Sequence, residues 1–246
     1  MRLHIIGTGS TGNAYLLELS GGSSLLLDAG LPIRQIIQAI DKPAQLTACL
    51  VTHEHMDHAK AAAKLLERGV PVMMSQGTAD ALQLGITPPI IVKAGTKKEL
   101  KGITILPFRT EHDVAEPLGF LIRDNVTGEV LLYATDTYYL HNLFPGVTYW
   151  LIECNYCTEV MDGQLVSGGI PLDMRGRLIR SHMSLDHLLE AFQANDLTMT
   201  RKIILCHLSD ARSDEGRMIR DVSALTGIDT SAAHAGDVYD LKDTPF

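Results

Sequence analysis

Short apolar runs alternate with segments of helical periodicity along the chain. "LHIIG", "NAYLLEL" and "SLLLDAG" read as three short strands separated by glycine and serine turns. "PIRQIIQAI" places its apolar residues at helical spacing behind a proline. "ACLVT" is a compact strand, and "HAKAAAKLLERG" after it predicts one helix closed by Gly69. "VPVMM" and "GTADALQLG" repeat that strand–helix order. The middle turns to strands in "GITILPFRTEH", "LGFLIRD" and "EVLLYATD", with "NVTG" as a hairpin turn, and then "TYWLIEC". Residues 162–177 are glycine-rich and irregular, which predicts a mobile loop. "SLDHLLEAFQAN" predicts a helix capped by Ser184, "RKIILCH" a buried strand and "DEGRMIRDVSALTG" a closing helix. The alternation predicts an α/β layered fold rather than a bundle or a β-sandwich.

Composition narrows the function classes. The 246 residues suit one large domain or two small ones, a single domain over 1–246 being expected, and 46% hydrophobic residues can build a sizeable core. No apolar run approaches the roughly 20 residues that cross a membrane. The opening "MRLHIIGTGSTGN" turns glycine-rich too early for a signal peptide, so a cytoplasmic location and no membrane partner are expected. Cys49, Cys154, Cys157 and Cys206 suit reduced thiols. Cys154 and Cys157 form a lone C-x-x-C, read as buried small side chains rather than as a zinc knuckle or redox pair. The net charge of −8 argues against a broad basic face for nucleic acid. A grip on long polyphosphate backbones would need a strongly localised basic patch.

The densest chemistry lies in "VTHEHMDHAK", where His53, His55, Asp57 and His58 fall within six residues. A strand entering a loop puts His53 and His55 on one side, within reach of one cation. Asp57 and His58 follow the turn into the next helix and point to a second position nearby. The pattern is not H-E-x-x-H, since Asp57 interrupts it, so a helix-borne zincin site is excluded. More ligand types stand at the ends of apolar strands: His112, Asp136 and His207. Ligands gathered at one sheet edge are what open α/β sheets favour.

"THEHMDH" resembles the H-x-H-x-D-H signature of the metallo-β-lactamase-fold hydrolases, and "LLLDAG", "TEH", "ATD" and "CHLS" follow in that family's order over nearly the whole chain. The resemblance implies a four-layer αβ/βα sandwich with two divalent metal ions, zinc first and manganese as the alternative. It implies that His53, His55 and His112 hold one ion and that Asp57, His58 and His207 hold the other. Asp136 then bridges them, and Asp28 orients a ligand imidazole.

"SHMSLDH", residues 181–187, resembles the G-H-x-S/T element of the phosphodiesterase branch, with Ser181 in place of the commoner glycine. It implies His182 as the proton donor to a leaving oxygen and Asp57 as a catalytic residue orienting metal-activated hydroxide. "GTGSTGN" resembles the opening of the small YycJ/WalJ-type nucleases. Its amides are candidates for phosphate contact, although a tight glycine turn explains the composition equally well. A related group is the anti-Pycsar phosphodiesterases, which open cyclic nucleotides. The expected substrate is therefore a nucleoside 3′,5′-cyclic phosphate, with cyclic dinucleotides included and DNA or RNA as the alternative. "ATDTYYLHN" and "LIECNYC" read either as borders of a nucleotide pocket or as ordinary core and surface. The branch implies a homodimer, and Arg175, Arg177 and Arg180 are candidates for phosphate contact across it or for a solvated face.

Overall fold

The computed structural model describes residues 1–40 and 46–241. It divides into two compact units. One contains Met1–Arg109, Val114–Val130 and His234–Phe246, and the other Thr110–Asp113 and Leu131–Ala233.

The first unit carries a seven-stranded sheet. Its strands are β1 (Arg2–Gly7), β2 (Ala14–Glu18), β3 (Ser24–Leu27), β4 (Leu46–Leu50), β5 (Val72–Met74), β6 (Ile90–Ile91) and β14 (Val238–Asp240), in the order β14-β1-β2-β3-β4-β5-β6. Pairing is antiparallel from β14 to β3 and parallel from β3 to β6, so β3 and β4 end side by side, with Leu27 opposite Leu50. Helices α1 (Ile33–Ala39), α2 (Met56–Ala59), α3 (Ala62–Glu67) and α4 (Gln76–Leu82) connect these strands. Ile33, Ile36, Leu65 and Leu66 bury their side chains against Leu16, Leu26, Cys49 and Val72. Strands β7 (Lys98–Leu100), β8 (Ile103–Arg109) and β9 (Leu118–Asp124) form an antiparallel run in the same unit. The turn after β9 matches the "NVTG" expectation, with Gly128 at φ +78.

The expected single helix over "HAKAAAKLLERG" is two. The carbonyl of Asp57, which an unbroken helix would offer to Ala61, instead accepts from the Asn13 amide at 2.7 Å. The Ala61 amide turns to the carbonyl of Ala29 at 2.8 Å. Two non-local bonds thus replace one helical bond and end α2 at Ala59, one residue after His58. Gly69 does close α3, at φ +77.

In the second unit β10 (Val130–Ala134), β11 (Tyr149–Glu153), β12 (Lys202–Cys206) and β13 (Asp229–Ala232) lie parallel, in the order β13-β12-β11-β10. All five residues of β11 are buried, and its apolar run Tyr149–Ile152 before Glu153 is that of a strand covered on both faces. Trp150 meets Phe144 and Phe192 edge-on, at 6.0 and 5.3 Å between ring centroids, and donates its indole N–H to Thr200 Oγ1 at 3.1 Å. Each such ring pair adds roughly 0.5–1.5 kcal/mol beyond its buried area.

The expected loop over 162–177 is mostly helical: α5 (Thr158–Val166) and α6 (Leu172–Ser181) flank a short turn. Tyr156, Met161 and Ile170 form a small buried cluster joined by Leu165, Leu178 and Ile179, and this tertiary packing overrides the glycine content. Gly168 at φ +75 and Pro171 before α6 confine the irregularity to that turn. Helices α7 (Leu185–Ala194), capped by Ser184, and α8 (Glu215–Thr226), closed by Gly227, match expectation.

Candidate metal centre

In the first unit the C-terminal ends of β3 and β4 carry the donors. Asp28 follows β3 in a left-handed backbone conformation, φ 56, which non-glycine residues adopt at an energetic cost. Its buried carboxylate accepts the Thr52 amide at 2.8 Å and lies 2.7 Å from His58 Nδ1. An anionic carboxylate there holds the proton on Nδ1 and leaves His58 Nε2 with its lone pair. The Thr52 hydroxyl donates to Asp28 at 3.0 Å, so it accepts from His53 Nδ1, also at 3.0 Å. His53 Nε2 is therefore a lone-pair donor too. The His53 ring lies 4.2 Å from that of His58 and 4.8 Å from that of His55, centroid to centroid. Asp57 Oδ2 sits 3.5 Å from His58 Nε2.

Two further contacts fix this loop. The Thr52 carbonyl accepts the Leu118 amide at 3.0 Å, and Glu54 Oε1 accepts the Ala115 amide at 2.8 Å. Beneath it lies the "GTGSTGN" turn. Buried Asn13 takes the Gly9 amide on Oδ1 at 2.9 Å, and its Nδ2 lies 3.1 Å from Gly9 O, 3.3 Å from Asp57 O and 3.1 Å from His58 Nε2. A Cβ on Gly30 would stand 1.6 Å from the Asp57 carbonyl oxygen, so only glycine fits there. The amides of Gly9 and Gly12 are used inside the turn, which favours its structural reading.

In the second unit the ends of three parallel strands carry Asp136, Glu153 and His207. Asp136 and His207 both adopt the left-handed conformation, at φ 46 and 53. His112 donates Nδ1–H to the Ser181 carbonyl at 2.8 Å, leaving Nε2 as its lone-pair atom. The Nε2 atoms of His112 and His207 face opposite oxygens of Asp136, at 3.8 Å from Oδ2 and 3.7 Å from Oδ1. These separations are too long for hydrogen bonds. They approach the spacing of neighbouring ligands around a cation whose bonds are about 2 Å. Donor atoms of Asp136, Glu153, His182 and His207 all lie within 4.8 Å of one another.

Glu153, the last residue of β11, was missed by sequence reasoning. It is fully buried, and Oε1 lies 2.7 Å from His182 Nδ1 and 3.1 Å from His207 Nδ1. Burial alone raises a carboxyl pKa, but the charge and hydrogen bond of His182, together with His207, outweigh it and hold Glu153 below its ordinary value. Burial likewise pulls His182 down, and the Glu153 carboxylate outweighs it and raises the imidazole. Asn155 Nδ2 donates to the His207 carbonyl at 2.9 Å and anchors that left-handed turn. The signal for Glu153 was an ionisable residue ending a run of apolar ones in "TYWLIEC".

The donors in both units are imidazole nitrogens and carboxylate oxygens, with no thiolate among them, and five imidazoles, those of His53, His58, His112, His182 and His207, are held through Nδ1. This donor set suits a divalent metal. The four cysteines are buried thiols outside any disulfide, and burial raises the thiol pKa of Cys154 and of Cys157. Arg175 is taken by Asp162 at 2.7 Å.

The description of a beta-lactamase superfamily domain matches residues 24–208. The chain belongs to this superfamily. Exodeoxyribonuclease WalJ of Streptococcus pneumoniae is 30% identical over 97% of this chain and 91% of its own length. Exodeoxyribonuclease YycJ of Bacillus anthracis is 27% identical over 99% of this chain and 96% of its own. The metallo-beta-lactamase fold protein YhfI from Bacillus subtilis aligns with a TM-score of 0.75 at 18% identity, covering 97% of this chain and 98% of that one. The superfamily fold expected from the histidine signature is the fold of this chain. Among the described residues no helix is long and apolar enough to cross a membrane.

Proposed function

We propose that the chain is a dinuclear metal-dependent phosphodiesterase that degrades DNA from strand ends. The Glu153–His182 pair carries the phosphodiesterase reading: an imidazole fixed through Nδ1 by a buried carboxylate, beside Asp136, is the arrangement of a proton donor. The full-length likeness to WalJ supports DNA as the polymer. In this reading His53, His55 and His112 would hold one ion and Asp57, His58 and His207 the other, with Asp136 a ligand available to both. The order of the motifs and the Nδ1 anchoring of His53, His58, His112 and His207 support that ligand set. Bound divalent ions at such a centre polarise a phosphoryl oxygen and make water nucleophilic at neutral pH. Zinc is the first expectation and manganese the second. Asp57 accepts a hydrogen bond from the attacking water. His182 Nε2–H gives its proton to the departing ribose oxygen and regains one from solvent.

A second reading is a hydrolase of nucleoside 3′,5′-cyclic phosphates or cyclic dinucleotides, favoured by the net charge of −8. The purified, metal-loaded protein decides between them when offered end-labelled single-stranded DNA and a cyclic-nucleotide panel. Release of mononucleotides from DNA, with cyclic nucleotides intact, is expected. The reverse pattern makes the cyclic substrate the correct one. For assembly and location we propose a cytoplasmic homodimer. The exposed apolar side chains Val166, Leu172 and Met174 on α5 and α6 support the dimer, and the four cysteine thiols outside any disulfide support the location.

A further inference from the structure

A chain of net charge −8 that acts on a polyanion must gather its positive charge locally. The first unit contains such a place. A groove of about 280 Å³ between the start of α1 and the α2–α3 segment is lined by Pro32, Ile33, Arg34, Lys60 and Lys64. Three of its five lining residues are cations, and no acidic residue lines it. Among the described residues none of the three makes an ion pair, and all three are exposed. Lys60 and Lys64 are four residues apart, and Arg68 continues the row at the next fourfold step, with Nη1 on the Lys64 carbonyl at 3.0 Å.

The groove is fastened to the histidine cluster. The Ala29 amide donates to the His58 carbonyl at 2.7 Å, and the Ala61 amide donates to the Ala29 carbonyl at 2.8 Å. The two lining segments therefore begin two residues beyond Gly30 and two beyond His58. Consecutive Cα atoms are about 3.8 Å apart, so the Cα atoms of Lys60 and His58 are at most about 8 Å apart.

We infer that this groove is a phosphate-binding track for the DNA strand, holding backbone phosphates beside the segment that carries the histidine cluster. The cations neutralise phosphates, and Pro32 and Ile33 offer an apolar floor to the sugars. The inference rests on the DNA reading above and names the surface that the substrate follows. A cyclic mononucleotide has no further phosphate to occupy it.

The test is equilibrium binding of a labelled, cleavage-resistant phosphorothioate single strand to the metal-loaded protein across a salt series. Each phosphate contact on a single strand contributes about −0.7 to the slope of log K against log salt. Replacing all three cations in one variant, Arg34→Gln with Lys60→Gln and Lys64→Gln, should flatten that slope by about 2 and weaken binding at low salt at least about tenfold. The charge-conserving variant Arg34→Lys with Lys60→Arg and Lys64→Arg should keep the slope, which separates charge from folding. Equal slopes for wild type and the glutamine variant overturn the track. Cleavage of an ordinary strand is scored separately. Binding that depends on these cations without cleavage rejects the nuclease reading alone. Cleavage with an unchanged slope rejects the track alone, and a wild type that binds no strand rejects both.

Discussion

His182 stands at the C-terminal end of α6, with its backbone amide on the Leu178 carbonyl at 2.9 Å and its ring on Glu153 at 2.7 Å. Its ring stacks on that of His207, 5.5 Å away at 12° between planes, and lies 5.6 Å from that of His112. A side chain so placed can serve as a proton donor or as a ligand, and one substitution separates the roles. His182→Ala should lower kcat by about 10²–10⁴-fold, the usual worth of a positioned general acid, with little change in KM. Metal content should stay at the wild-type level. Loss of one metal equivalent in that variant would make His182 a ligand and reject its role as donor. In the proposed mechanism Glu153 would act through the imidazole it holds.

At the level of elements, β9 ends on a buried carboxylate that ties two turns together. Asp124 accepts the Ser20 amide at 2.7 Å, at the end of the β2 segment, and the Val126 amide at 2.9 Å within its own turn. Burial raises its pKa, but these backbone donors outweigh that effect and bring it below the usual 3.8. A carboxyl depressed in the folded state adds stability above its unfolded pKa, and that contribution fades as pH falls through the folded value. Asp124→Asn should therefore destabilise the protein by about 1–3 kcal/mol near neutrality. The gap to wild type should narrow below pH about 3.8. Urea unfolding of both proteins at neutral and acid pH measures it. A gap that stays constant with pH would show that shape, not charge, matters at this turn. The same scale explains the split between α2 and α3. Alanines and lysines from Lys60 to Lys64 have good helix propensity, yet Asn13 and Ala29 claim the backbone groups that a continuous helix needs.

For the whole molecule, the ligand set proposed for both units predicts about two divalent ions per chain by elemental analysis. Ions that bind only the folded chain stabilise it, by roughly 3–4 kcal/mol at concentrations 100–1,000 times Kd. A chelator should abolish activity and lower the thermal midpoint, and added zinc or manganese should restore both. An unchanged midpoint together with no metal in the purified protein would reject the dinuclear centre.

The sequence by itself singled out the residues proposed to carry the chemistry and determined which segments form most of the framework. The histidine signature, the strand-end donors and the capped helices are local patterns, because ligand type, strand alternation and end-capping are properties of neighbours in the chain. Tertiary structure decided the rest. Glu153 looked like one more end of an apolar strand until parallel pairing of β11 with β12 brought it to the His207 turn. Asn13 and Gly30 read only as turn residues, yet both bond or press against the Asp57 segment, some 44 and 27 residues away in the chain. The helices in place of the expected loop at 162–177 depend on packing around Tyr156, which glycine content does not reveal. The basic groove joins Arg34 to Lys60 and Lys64 across a chain gap whose closing is set by Ala29 and Ala61. These decisions are non-local because a buried charge, a close backbone approach and a gathered surface charge are set by what packs nearby in space.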